Sequence, residues 1–159
     1  MIMTKTNAMR LLEAAVIPFR VTEYEYDESD LSGLHAAQSI GMPPEQVFKT
    51  LVTRGDKTGI NVFCIPVDSE LDLRKAAAVS GNKKVEMLHV KELLGVTGYI
   101  RGGCSPVGMK KKYPTYFDET IILFDEIAVS AGIRGQQIIV EPEALRTYLG
   151  ALTAELTAD

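Results

Sequence analysis

Two stretches of this 159-residue chain carry residue types that ordinary packing does not ask for. The first is Lys49, set in Val47-Phe48-Lys49-Thr50-Leu51-Val52. Alternation along a strand puts Val47 and Leu51 on the face of Lys49, and Phe48, Thr50 and Val52 on the other. Apart from Thr50 both faces are apolar, so an ammonium there is costly unless it meets an anion or lines a cleft. The competing assignment is a strand-end lysine whose head snorkels to water. The second stretch is Gly102-Gly103-Cys104-Ser105-Pro106-Val107-Gly108, which runs into Met109 and Lys110 to Lys112. So much glycine and proline excludes a regular helix or central strand. Lacking Cβ atoms, Gly102 and Gly103 let a ligand approach bare N–H groups, donors of the kind that stabilise the oxyanion of ester cleavage. An ordinary tight turn is the bland alternative. Ser105 adds a hydroxyl, Pro106 stiffens the turn, and the lysines bring charge that suits a phosphate.

No nucleophile with its own base is evident. Cys104 has no local motif with either histidine, and a catalytic thiol usually has a base partner. His35 lies in Leu34-His35-Ala36-Ala37, on an expected short helix from which it could line a site, whereas His89 reads as a surface or capping residue. No HExxH, Ser/His/Asp grouping or paired-carboxylate spacing occurs. Cys64 and Cys104 are too far apart in sequence to form a metal-ligand pair or a dense disulfide framework, and both read as free thiols of a reducing cytosol. No metal and no organic cofactor is implied.

The length fits one domain, residues 1–159, with a core of its own. A hydrophobic share of 46% argues against disorder. No apolar run approaches the roughly 20 residues of a membrane span, and Met1 to Arg10 has no signal-peptide core, so a soluble, cytoplasmic protein is expected. The net charge of −4 argues against a generic DNA or RNA binder, since phosphate neutralisation drives such binding. Positive charge is local, in Arg74-Lys75, Lys83-Lys84 and Lys110 to Lys112, where a solvated surface is the plain explanation.

The elements that must position these residues follow from punctuation and periodicity. Thr6 or Asn7 caps a helix with Leu11, Leu12, Ala15 and Val16 on its apolar face, ending before Pro18. Phe19 to Tyr26 reads as a strand carrying Tyr24, and Leu34 to Ile40 as a helix stopped by Gly41. Pro43 to Gln46 can add one helical turn. Val47 to Arg54 and Ile60 to Val67 form a hairpin around the five-residue loop Gly55 to Gly59. Helices are expected over Asp72 to Ser80, Val90 to Leu94 and Pro142 to Leu149. Strands are expected near Gly98 to Arg101 and over Thr115 to Phe117, Ile121 to Phe124, Ile127 to Ser130 and Gln137 to Val140, with a polar tail at the end. Hairpin-like succession with interspersed helices predicts an α/β (α+β) domain on a mixed sheet rather than a parallel βαβ array.

The F-K-T-L run and the G-G-x-S-P-x-G loop together resemble the YbaK/EbsC family of aminoacyl-tRNA deacylases, and most of all its YbaK branch. Ile17-Pro18-Phe19, Lys75-Ala76-Ala77, Lys83 to Met87, Thr97-Gly98-Tyr99, Val129-Ser130, Gly132 and Arg134-Gly135 extend the resemblance in order over nearly the whole chain. It implies a curled, mixed, largely antiparallel sheet closing toward a barrel with surrounding helices. It also implies trans-editing: removal of cysteine from mischarged Cys-tRNA(Pro), with Cys-tRNA(Cys) as a further option, and with the substrate's own thiol as nucleophile. Lys49 falls on the lysine the family requires, with Gly102 and Gly103 as oxyanion donors. Tyr24, Thr50 and Ser130 match polar pocket positions, Tyr24 as a platform for the terminal adenine, and His35, Ser105 and Pro106 complete the expected substrate-binding set. The implied partners are the aminoacyl-tRNA acceptor end and, as an option, prolyl-tRNA synthetase. Hydrolysis of Ala-tRNA(Pro) by water, or a non-catalytic module that binds tRNA or a synthetase, are the alternatives.

Overall fold

A computed structural model describes residues 5–158, so the first four residues and Asp159 of the expected 1–159 span lie outside the described residues. Helix α1 (Asn7–Ala14) begins where the Thr6 hydroxyl accepts the Met9 N–H, and it buries Ala8, Met9 and Leu12. Strand β1 (Phe19–Glu23) is shorter than the expected run to Tyr26, although the Tyr24 N–H still donates to Gly135 O at 2.9 Å. Helix α2 (Gly33–Ile40) is capped by Ser32 and closed by Gly41 in the left-handed conformation. After a 3-10 turn over Pro44–Gln46, β2 (Phe48–Gly55) and β3 (Gly59–Pro66) form the expected hairpin. Gly55 pairs with Gly59, so the loop holds three residues rather than five. The Asn82 side-chain oxygen accepts the N–H groups of Lys57 and Thr58 at 2.8 Å and fixes that tighter turn.

Helix α3 (Leu73–Ser80) starts on the Asp72 carboxylate, and β4 (Val85–Met87), a strand not expected from the sequence, pairs with the far end of β2. Then come α4 (Val90–Thr97), β5 (Thr115–Asp118), β6 (Ile127–Ser130), β7 (Gln136–Val140), α5 (Pro142–Leu149) and β8 (Leu152–Ala154). The strands form an antiparallel sheet ordered β1-β7-β6 and a mixed sheet ordered β4-β2-β3-β5-β8, in which β3-β5 and β5-β8 are parallel. The α/β class and the largely antiparallel mixed pairing hold. The expected closure toward a barrel goes no further, among the described residues, than one parallel bridge between Val47 and Ala128 that joins the two sheets.

Phe48, Val62, Cys64 and Phe117 meet Val129, Ile138 and Val140 between the sheets, while Phe63, Ile65, Tyr116, Ala76 and Leu156 pack on the outer face of the mixed sheet. The hairpin is therefore covered on both sides, and Lys49, in register with Ile65, sits at the end of the outer apolar face.

Three expected elements differ. Residues 98–101 are not a strand: Gly98 terminates α4 with positive φ, the Tyr99 N–H returns to the Thr97 hydroxyl, and Gly103 N–H closes a turn on Ile100 O. Residues 121–123 fall in a 3-10 turn, Glu119–Leu123, because Asp118 captures the Thr120 N–H; Ile121 is buried and Phe124 packs partly buried against the core. The polar tail supplies β8, with Leu156 fully buried beyond it. The Asp118 carboxylate, 1% exposed, joins these pieces by accepting from Leu156 N at 3.0 Å and from Thr120 N and Oγ1 at 3.2 and 2.7 Å. Asp118→Ala strands a buried N–H, and should lower unfolding free energy by roughly 2–4 kcal/mol in urea titrations with an unchanged m-value.

Candidate active site

A cavity of about 440 Å³ opens where four pieces of chain converge. These are the start of β2, the first turn of α2, the wall formed by β4 and α4, and the turn that follows α4. Gly33, the first residue of α2, makes the approach possible. A Cβ there would lie 2.3 Å from Val67 Cγ1, and Val67 is buried. Any side chain would thus drive the helix off the hairpin and away from Lys49, whose Cβ is 3.8 Å from the same point. The walls are mostly apolar, with Leu31, Leu51, Val67, Leu88 and Leu93 among them, a setting in which a few polar groups decide orientation.

Lys49 is half-buried on this wall and makes no hydrogen bond or ion pair among the described residues. Loss of water pushes its ammonium below the ordinary lysine range, while Glu70 and Asp68 pull the other way without reaching it as ion pairs. A cation held this way is electrostatically ready for an anionic or electron-rich ligand. Beside it, the Thr50 hydroxyl accepts from Cys64 Sγ at 3.8 Å.

The cavity gathers Tyr24, Lys49, Thr50, Gly102 and Ser130 from the expected set. Tyr24 stands at the end of β1, and Ser130 ends β6, where its hydroxyl accepts the Gly132 N–H at 3.2 Å. His35 does not line the cavity. It stands behind Tyr24, ring edge to ring face with centroids 6.4 Å apart, and 3.9 Å from Asp30. Gly103 is buried and its N–H is spent on Ile100 O at 3.0 Å, so the pair of oxyanion donors reduces to Gly102. The N–H of Gly102 has no partner among the described residues. Its φ of +87° at the third position of the 100–103 turn is the conformation a type II turn demands of glycine. Ser105 and Pro106 are also buried. The Ser105 hydroxyl accepts the Val107 N–H at 3.2 Å and braces the loop, while Pro106 lines a separate cleft with Leu11, Lys111 and Lys112. Lys111 and Lys112 therefore face that second cleft rather than the cavity, and Lys110 lies against Gly98.

Cys104 does reach the cavity, but burial pushes its thiol up to about 12, with the Thr97 hydroxyl only partly offsetting the rise. It stays protonated at neutral pH and is a poor nucleophile. Gln137 went unnoticed in the sequence. It pairs with Ser130 across β6 and β7, lines the cavity at 6% exposure, and leaves its buried side-chain oxygen without a hydrogen-bond partner. Its signal was two glutamines opening an otherwise apolar, fully buried strand.

The cavity is thus mostly apolar and holds one unpaired ammonium, a glycine N–H without a partner and a protonated thiol among the described residues. Residues 33–148 match the aminoacyl-tRNA editing domain, and the chain belongs to that family. A protein of Enterococcus faecalis, EbsC, named for Cys-tRNA(Pro)/Cys-tRNA(Cys) deacylase activity, is 52% identical over 153 residues, covering 96% of this chain and 93% of its own. A solved structure described as a trans-editing enzyme for prolyl-tRNA synthetase superposes with a TM-score of 0.81 at 28% identity, covering 96% of this chain and 97% of that one. Another, the hypothetical protein APE2540, gives a TM-score of 0.84 at 20% identity over 93% and 97% of the two chains and shares the fold.

The half-buried ammonium has a measurable consequence. With the folded-state pKa lowered, the unfolded chain binds more protons than the folded one between that value and the ordinary lysine pKa of about 10.4. Stability from this group therefore rises with pH across that window, and the cost is fully present below it. Lys49→Met should be as stable as the parent at pH 7 or up to about 1 kcal/mol more stable, solvent screening keeping the gain small. The difference should vanish above the window. The Lys49 side-chain NMR signal should titrate below 10.4.

Proposed function

We propose that this protein is a trans-editing deacylase that removes cysteine from mischarged tRNA, with Cys-tRNA(Pro) as the principal substrate and Cys-tRNA(Cys) as a second. The observation that carries this is the cavity's chemistry: Lys49 is a half-buried cation without an ion pair among the described residues, and the one thiol that reaches the cavity is held protonated. The relationship to the E. faecalis deacylase supports the same substrate. The whole chain works as one editing domain on the aminoacyl acceptor end, with prolyl-tRNA synthetase as the partner that would deliver it. No helix among the described residues is long and apolar enough to cross a membrane, in keeping with action in the cytoplasm.

The substrate supplies the nucleophile. Its cysteine sulfur attacks the ester carbonyl carbon, a C–S bond forms, and the carbonyl electron pair moves onto oxygen. Collapse of this oxyanion breaks the bond to the ribose oxygen, which takes up the proton the thiol gave. The products are cysteine thiolactone and tRNA with a free terminal hydroxyl. Lys49 holds the ribose or terminal phosphate and steadies the ester, and the Gly102 N–H offers a fixed donor to the developing oxyanion. Tyr24 supports the terminal adenine, with His35 fixing the Tyr24 ring from behind. Thr50, Ser130 and Gln137 orient the aminoacyl group. Ser105, Pro106 and Gly103 act by shaping the loop.

Lys49→Ala should fold and lose at least 10²-fold in kcat, about 2.7 kcal/mol of barrier. Cys104→Ser should stay within a few-fold of the parent. The decisive comparison is the single-turnover rate on cysteinyl-, seryl-, alanyl- and S-methylcysteinyl-tRNA(Pro). Pocket contacts are worth only about 1–3 kcal/mol per methylene-sized change, whereas loss of the attacking thiol removes the pathway. Cysteine should be cleaved, serine and alanine barely, and S-methylcysteine not at all. Equal rates for the cysteine and S-methylcysteine esters would establish attack by water instead, and protection of every ester would establish a binding module.

A further inference from the structure

At the cavity rim, two arginines from packed turns lie side by side, and neither is paired with a carboxylate among the described residues. Arg101 is exposed and lines the cavity next to Gly102. Arg134, from the connection between β6 and β7, donates from Nε to Arg101 O at 2.9 Å, and that Nε lies 3.4 Å from where a Gly102 Cβ would stand. The two turns are packed backbone to backbone: a Cβ on Gly103 would meet Arg134 N and the Ile133 backbone at 3.1 Å. The placement of both arginines is thus set by the fold rather than by solvent. Neither forms an ion pair among the described residues, whereas Arg20, Arg54 and Arg146 are each paired with a glutamate. The acidic segment leading to Leu31, which itself abuts Gly102, turns the Asp27 and Asp30 carboxylates onto the Ser29 and Ser32 hydroxyls.

We propose that Arg101 and Arg134 form a clamp for a phosphodiester of the single-stranded acceptor end, the one adjoining the aminoacylated nucleoside held in the cavity. The clamp rests on the acceptor-end function proposed above. Arg134 spends only Nε on the protein, so its two terminal amino groups remain to donate, and a guanidinium fork matches a phosphate in shape and charge. Going outward from a nucleoside whose ester lies at Lys49 and Gly102, the next group along the strand is an anion, and two arginines without an ion pair among the described residues stand at the rim beside Gly102. In a chain of net charge −4 such a localised pair also sets the register of a ligand that the rest of the surface does not attract.

The test compares two substrates and one equilibrium. The substrates are a cysteinylated acceptor minihelix and 3′-O-cysteinyladenosine, which has no phosphate. The equilibrium is binding of the uncharged minihelix as a function of salt. The Arg101→Ala/Arg134→Ala protein should lose at least tenfold more kcat/KM on the minihelix than on the nucleoside ester, through KM. Its slope of log affinity against log salt should fall by about 1.4, two contacts at roughly 0.7 each for a single strand. Arg101→Lys/Arg134→Lys should restore most of that slope, and Lys57→Ala, at the exposed tip of the β2–β3 hairpin, should leave it as in the parent. Equal losses on both substrates, or an unchanged slope in the alanine protein, overturn the clamp. Failure of the parent protein to cleave either substrate overturns the editing function instead, and the salt slope still decides the clamp.

Discussion

An ammonium held half out of water with no anion of its own is a cost that the rest of this architecture sustains. The β2–β3 hairpin is covered by one apolar cluster between the sheets and by another outside, and Lys49 stands where the second ends. Moving it one residue back along β2, to position 48, would send it into the Phe48–Cys64–Phe117 core, out of reach of water. At its actual register it keeps partial hydration while Gly33 brings the first turn of α2 against the hairpin. The cavity exists because these two constraints coincide at one strand end.

Close approach of backbone to backbone builds the opposite rim. Gly103 lies against the Ile133–Arg134 peptide with no room for a Cβ, and Gly102 takes a conformation other residues resist. What looks in the sequence like one glycine-rich ligand loop is two devices in series. The first half, through Gly102 and Cys104, faces the cavity. The second half, from Ser105 onward, turns inward and anchors Val107 in the main core.

That division explains what could be read from the chain alone. Lys49, Thr50, Tyr24 and Ser130 lie on strands or at their ends and all four line the cavity, which takes in both faces at the start of β2, with Lys49 on one and Thr50 on the other. Gly103, Ser105 and Pro106 lie in irregular backbone, where direction depends on long-range contacts such as that with residues 133–134, which no local pattern encodes. The same limit applies to the β-strand expected over 121–124, where four apolar residues in a row suggested burial. The Asp118 side chain redirected them, leaving Ile122 and Leu123 79% and 70% exposed. β4 and β8 are three residues each, too short to carry a period, and exist because β2 and β5 offer edges to pair with.

A site without a protein nucleophile shifts the burden of selectivity from reactivity to geometry. For the editing function proposed above, an apolar wall that excludes water would protect correctly charged esters from hydrolysis and would strengthen polar contacts between a substrate and Lys49, Gly102, Ser130 and Gln137. The unpartnered Gln137 oxygen then has a physical sense. A buried acceptor left empty costs about 1–3 kcal/mol in the free protein, and that cost is relieved only by a ligand that brings a donor to that spot. Lys49 and Gln137 are in this respect a complementary pair, one cation and one acceptor both left unsatisfied in the same cavity. A substrate with an electron-rich ester and a nearby N–H or O–H donor satisfies both at once, and an ester that satisfies only one leaves the other penalty standing.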